Sequence, residues 1–138
     1  MTGTVVGGGS ESETLVFDTN ALILLLTNSP RLTEPARTAS TRIEGSRLYS
    51  AASIYEVAFK FRLGKLPIDP SDFRQALRLG GFAVRSITEH VIYTAAMLDW
   101  SNRDPWDRII GATARHEGGS LVSSDAAFDE LPGISRIW

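Results

Sequence analysis

The stretch RDPWDRIIGATA, residues 103–114, sets Asp104 and Asp107 three apart around a Pro-Trp pair. Three further acids stand in telling places. Asp18 closes the apolar run TLVFD, Asp125 closes SLVSSD, and Glu56 lies within AASIYEVAFKFRLG. A carboxylate directly after an apolar strand is expensive to desolvate unless something pairs with it. Four carboxylates brought to one spot would repel one another and raise one another's pKa values, so a cation must neutralise them. The chain has no cysteine, and His90 and His116 fall on helices away from the acidic motifs, where surface roles suit both. All-oxygen ligands of this kind select a hard ion, Mg²⁺ or Mn²⁺. Such ions activate water and stabilise the charge that develops in phosphoryl displacement. The chemistry implied is that of a metal-dependent phosphodiesterase or phosphatase.

Convergence of these acids depends on the elements that carry them. TLVFD (14–18) is rich in β-formers and predicts a buried strand, and NALILLLTN (20–28) predicts a buried helix stopped near Asn28-Ser29-Pro30. Residues 34–44 read as helix and RLYS (47–50) as a second strand. Residues 51–64 place Ile54, Val57, Ala58 and Phe61 at helical spacing, with Gly64 as the stop. A helix over 70–81, a strand over 82–87 and a helix over 88–101, capped by Thr88, follow. The remainder predicts a helix over 105–118, a strand over 119–125, a short AAFDEL helix and an edge strand over 135–138. Strands alternating with helices predict one α/β domain, a three-layer α/β/α sandwich with a central parallel sheet. Ligands bind beyond the carboxyl ends of such strands, where Asp18 and Asp125 lie.

Each acid also has a structural reading. Asp18 and Asp125 could equally cap the helices that follow them. Glu56 has Lys60 at i+4, a common surface pair, although Ala52 and Ser53 leave it room to lean toward the sheet edge. The two aspartates of DPWD divide more cleanly. Pro105 suits the first helical position, so Asp104 is the N-cap. Asp107 then falls in the first turn, where the helix dipole favours negative charge and the side chain can project past the sheet. Gly111, Ala112 and Ala114 let this helix approach the strands closely. Geometry assigns Asp104 to structure and leaves Asp107 for chemistry.

Bulk properties fit a single ordinary globular domain of 138 residues with 43% hydrophobic content. The opening MTGTVVGGGSESE is a poor secretory signal and reads as a flexible lead over 1–13, with the domain over 14–138. No apolar run approaches the ~20 residues of a membrane span. The absence of cysteine excludes disulfides and fits a cytoplasmic protein. A formal charge of −2 gives no nucleic-acid signature, although 12 of the 14 cations are arginine, the side chain best shaped for phosphate.

LVFDTNALI, SIYEVAFK, DPWDRIIGATA and SLVSSDAAF, in this order, resemble the PIN-domain ribonucleases, and most closely the VapC toxins of type II toxin–antitoxin pairs. The similarity spans roughly residues 14–138. It implies a PIN-like sandwich, Mg²⁺- or Mn²⁺-dependent endoribonuclease activity and inhibition by a cognate antitoxin. It matches Asp18, Glu56, Asp107 and Asp125 to the family's four acidic positions, and Asn20 and Ser124 to nearby polar ones. Asp104 matches the first aspartate of an Asp-Pro-aromatic-Asp-Arg variant, with tryptophan in the aromatic place. Asp18 and Asp107 would hold the principal metal, with Asp125 and Glu56 completing the pocket. A metal-activated water would cut RNA to a 3′-hydroxyl and a 5′-phosphate. Asn20, Asp104, Ser124 and Arg108 would support the site or position substrate, with a surface ion pair as the plainer role for Arg108. Tyr55, Phe59, Phe61 and Trp100 read as core or interface, and the apolar face of the 51–63 helix suits a homodimer and an antitoxin groove.

Two other functions compete. An aspartyl-phosphate hydrolase would also end its first strand at Asp18, but this chain has Asn20 two residues on and no lysine after Lys65. A non-catalytic PIN-like binding module would not need four intact acids. GGG at 7–9 precedes the first strand and is no phosphate loop.

Overall fold

The computed structural model describes residues 13–42 and 44–138; the expected lead, apart from Glu13, lies outside the described residues. Twelve elements follow one another. They are β1 (Thr14–Phe17), α1 (Thr19–Leu26), α2 (Glu34–Ser40), β2 (Ser46–Ser50), α3 (Ala51–Arg62), α4 (Pro70–Leu79) and β3 (Phe82–Arg85), then α5 (Glu89–Met97), α6 (Pro105–His116), β4 (Ser120–Val122), a 3₁₀ turn (Ala126–Glu130) and β5 (Ser135–Ile137). The five strands form one sheet in the order β3-β2-β1-β4-β5, and all neighbouring pairs are parallel. Parallel neighbours need long crossovers, which the helices provide.

The period-two alternation of side chains divides the strands between two cores. Leu15, Phe17, Tyr49 and Val122 face a layer built from α1 to α4, packed with Leu22, Ala36, Val57, Phe73 and Leu77. Val16, Leu48 and Leu121 face the opposite layer, with Val91, Ala95, Ile110, Ala112 and Ala114 from α5 and α6. Trp100 and Phe128 complete that side, their rings 5.2 Å apart. The fold is therefore the α/β/α sandwich expected. Each fully buried Leu or Phe contributes roughly 1.5–3 kcal/mol, so stability resides in the two cores and not at the strand ends.

Topology then chooses the site. From β1 the chain builds outward through β2 and β3, and then returns to place β4 on the other side of β1. Phe17 pairs with Val122 in register, and the ladder continues one residue as Asp18 donates its N–H to the Val122 carbonyl at 3.1 Å. The crevice beyond β1 and β4 is the switch point where open α/β sheets bind ligands.

Several boundaries differ from the sequence expectations. The helix expected over 34–44 stops at Ser40, and that over 88–101 stops at Met97, because Leu98 turns to extended backbone (φ −59, ψ 132). The strand expected over 119–125 pairs only from Ser120 to Val122, so Asp125 stands three residues past the strand end.

Gly119 sets the entry to β4. Its φ is +95, its N–H donates to Ala114 at 2.7 Å, and its carbonyl accepts from Ser135 at 2.7 Å. A Cβ there would run into the Gly133 carbonyl oxygen. Gly119→Ala should lower unfolding stability by about 3 kcal/mol, through backbone strain and overpacking together. Chemical denaturation checks this, and an unchanged midpoint would contradict it.

Candidate active site

Asp18 follows β1 directly and caps α1, its Oδ1 accepting the Ala21 N–H at 2.8 Å. The side chain is buried, with 7% of the residue exposed. Burial pushes its pKa up to about 6, against hydrogen bonds from the Ser123 hydroxyl and Ala21 N–H that favour the anion. The neighbouring charges of Asp107 and Asp125 raise it further.

Glu56 reaches the same crevice from α3. That helix starts without a loop after β2, with Ser50 accepting the Ala52 N–H at 3.0 Å. The buried hydroxyls of Thr19 and Ser53 meet at 2.8 Å, tying α3 to the end of β1. Ala52, Ser53 and Val57 face inward, leaving Glu56 half-buried at the rim. Its Oε2 holds Lys60 Nζ at 2.8 Å, so the surface pair and the crevice position coexist.

Asp107 comes from α6. Asp104 caps that helix, its Oδ1 accepting the N–H groups of Trp106 (2.8 Å) and Asp107 (3.3 Å). Asp107 Oδ2 in turn accepts the Asn102 amide at 3.0 Å. Burial raises the Asp107 pKa, the Asn102 hydrogen bond opposes this, and Asp104, Asp125 and Glu56 raise it again. Asp125 caps the 3₁₀ turn, its Oδ1 accepting the Ala127 N–H at 2.9 Å while its own N–H donates to Ser123 Oγ at 3.0 Å.

These side chains surround one cleft of about 350 Å³, lined by Asp18, Thr19, Asn20, Glu56, Asp107, Ile110, Ser124 and Asp125. Asn20 Nδ2 and Ser124 Oγ stand 3.4 Å apart at its edge. No Lys, Arg or His is among the lining residues. Among the described residues, no three His, Asp or Glu side chains are already gathered as a coordination sphere. The donor set is nevertheless anionic, oxygen-only and partly desolvated, and the burial and neighbouring negative charges that raise the Asp18 pKa are what a hard cation would offset.

Of the residues named from sequence, Asp104 and Arg108 do not line the cleft. Among the described residues Arg108 makes no surface ion pair. Its guanidinium donates to the carbonyls of Ala95, Ala96, Leu98, Trp100 and Asn102, at 2.6–3.4 Å. Those carbonyls lie where α5 ends and the chain turns, and a half-buried cation satisfies them there instead of pairing with a surface carboxylate. Ser123 and Asn102 were missed. Either Ser123 or Ser124 could have been the inward one, and Asn102 precedes its helix, where no periodicity marks it. Of the four aromatics, only Trp100 is core; Tyr55, Phe59 and Phe61 are exposed. His90 and His116 are both exposed, their rings 4.6 Å apart.

Asp18 makes metal-free stability depend on pH. Its folded pKa of about 6 lies above the ordinary value of 3.8, so the folded state binds more protons between them. Stability therefore falls as pH rises through this window and stays low above pH 6. The gap corresponds to about 3 kcal/mol. Asp18→Asn keeps an oxygen for Ala21 and removes the charge. In chelator at pH 7.5 it should melt several degrees above the wild type, with the advantage vanishing near pH 4. Equal melting temperatures across that range would contradict the assignment.

A family model described as the PIN domain matches residues 15–134. No curated protein matches the chain. Among solved structures, a toxin–antitoxin complex from Klebsiella pneumoniae superposes with a TM-score of 0.63 at 21% identity, covering 88% of this chain and 95% of the other. VapBC2 of Rickettsia felis, bound to a DNA fragment from its promoter, gives 0.64 at 11% identity over 91% and 99%. VapC20 of Mycobacterium tuberculosis, described as a sarcin–ricin loop cleaving toxin, gives 0.61 at 16% identity over 87% and 98%. With all six α-helices, strands β2 to β4 and the four acid-bearing segments inside the matched region, the chain belongs to the PIN-domain family.

Proposed function

We propose that this protein is a divalent-metal-dependent endoribonuclease, the toxin of a VapC-type toxin–antitoxin pair. One observation carries the reading: Asp18, Glu56, Asp107 and Asp125, from four separate segments, line one cleft that has no basic lining residue. An arrangement that raises the pKa of Asp18 and Asp107 is unfavourable unless a cation resides there.

Asp18 and Asp107 would hold the principal Mg²⁺ or Mn²⁺, with Asp125 and Glu56 closing the site directly or through water. A bound ion of this kind lowers the pKa of a coordinated water and stabilises charge on a phosphodiester in displacement. The protein's own part is to hold these oxygens in a partly dehydrated crevice. Asn20 and Ser124 offer an amide and a hydroxyl at the cleft edge to a phosphate or ribose oxygen. The titratable side chains lining the cleft are all carboxylates, and no imidazole or amine stands among them as a separate base. Lys65 is exposed and outside the cleft, which disfavours the aspartyl-phosphate alternative.

Support for an antitoxin and an RNA substrate comes from the structural relatives, which include toxin–antitoxin complexes and a toxin described as cleaving the sarcin–ricin loop. Exposed Tyr55, Phe59 and Phe61 on α3, and Ile92, Tyr93 and Met97 on α5, give apolar surface for an antitoxin and for a second copy in a homodimer. No helix among the described residues is long and apolar enough to cross a membrane, and we place the protein in the cytoplasm with its RNA.

Asp107→Asn and Asp104→Ala separate chemistry from helix capping. Asp107→Asn should reduce RNA cleavage by ~10²-fold or more and weaken the Mn²⁺-induced rise in melting temperature. Asp104→Ala should lose about 1 kcal/mol of stability through the missing cap and retain the Mn²⁺ response. Wild-type cleavage by Asp107→Asn, or undiminished cleavage by the wild type in chelator, would overturn the reading.

A further inference from the structure

The segment between α5 and α6, residues 98–104, has no regular structure, yet it is tightly held. Arg108, one residue past Asp107, donates Nη1 to the carbonyls of Trp100 (2.9 Å) and Asn102 (2.7 Å) and Nη2 to that of Leu98 (2.6 Å). Its Nε takes the Ala95 carbonyl at the end of α5 (3.0 Å). A planar guanidinium with donors in fixed directions can set the path of a loop in a way that a lysine cannot. On the far side, Trp100 donates its indole N–H to the Ala127 carbonyl at 3.2 Å.

The side chain of Asn102 is placed by this path and uses both ends of its amide. Oδ1 accepts the Asp104 N–H at 2.9 Å, and Nδ2 donates to Asp107 Oδ2 at 3.0 Å. Because an N–H already occupies one end, the end that faces Asp107 must be the NH₂ group. Asp107 Oδ1 accepts no hydrogen bond from the described residues. Asn102 itself does not line the cleft.

We propose that Asn102 is a positioning residue for Asp107: its amide clamps Oδ2 and presents Oδ1 to the cation, while Arg108 holds the loop that aims the amide. The proposal rests on the reading of Asp107 as a metal ligand. Partners that orient ligating side chains change metal affinity or activity by 10–100-fold when removed. The clamp spares the Asp107 carboxylate a search among rotamers when the cation arrives, so its effect falls on metal affinity and turnover and not on RNA binding.

The experiment compares the wild-type chain with Asn102→Ala, Asn102→Ser and Asp107→Asn, using calorimetric Mn²⁺ titration of the chelator-treated protein and steady-state RNA cleavage. Serine keeps an oxygen able to accept the Asp104 N–H and preserve the turn, but it is too short to hold Asp107. Both Asn102 variants should bind Mn²⁺ about 10-fold more weakly at unchanged stoichiometry. They should also show reduced kcat at limiting metal, recovery at high metal, and an unchanged KM for RNA. Asn102→Ser should melt close to the wild type, which keeps the comparison valid if the alanine variant unfolds. Wild-type Mn²⁺ affinity in Asn102→Ser, alongside a loss in Asp107→Asn, would reduce Asn102 to a turn residue and overturn the proposal alone. Unaltered Mn²⁺ binding in Asp107→Asn would overturn the ligand reading beneath it, and the proposal with it.

Discussion

A carboxylate held out of water at the end of the central strand is the constraint on which the rest of this site depends. Leu15, Val16 and Phe17 are almost fully buried, and Asp18 continues the same backbone line while still bonded to β4. The chain cannot swing Asp18 to solvent without breaking that ladder and uncapping α1. The charge must therefore be met where it is. Two donors, Ala21 N–H and Ser123 Oγ, meet part of it, and burial still raises the pKa to about 6. The charges of Asp107 and Asp125 then add repulsion instead of relief. A buried, repelling set of carboxylates of this kind is costly on its own, and a bound cation would offset that cost.

Helix capping and a place in the cleft are compatible uses of one carboxylate. Asp18 and Asp125 each spend an oxygen on the N–H of a helix or 3₁₀ start, and each still lines the cleft. The cap fixes the side-chain rotamer, so the acid is ordered before any ligand arrives. Asp104 shows the limit of this economy. It caps with the same geometry, but its exposed position one turn earlier directs it away from the cleft. Register along the helix, and not residue type, divides the two aspartates of DPWD.

This division was legible in the sequence because proline marks the first helical position and the rest follows by counting. The layered α/β fold was legible for a similar reason: short β-rich runs and amphipathic helices alternate without interruption. Strand ends were less legible. SLVSSD reads as one strand, but pairing stops at Val122, because β5 is only three residues long and the chain must turn to bury Phe128. The role of Arg108 was hidden altogether. Its partners are backbone carbonyls, which every residue owns, so no side-chain pattern announces them. Likewise Asn102 has no periodic neighbour, and its meaning comes from a loop path that only the folded chain defines.

That loop path links the two halves of the acidic site through interactions that involve no acid-to-acid contact. Arg108 ties residues 98–102 to α6, which carries Asp107. Trp100 ties the same residues to the 3₁₀ turn that Asp125 caps, and Ser101 Oγ adds a bond to Glu130 at 3.2 Å. Carboxylates that repel cannot set their own spacing, so something neutral or cationic must set it for them. Backbone carbonyls bound by a half-buried guanidinium are well suited to this, because they add no negative charge to a crevice already overloaded with it. The same logic explains why Arg108 points away from the cleft even though it adjoins Asp107 in sequence. A guanidinium inside the cleft would pair with the acids and neutralise them in place of any cation.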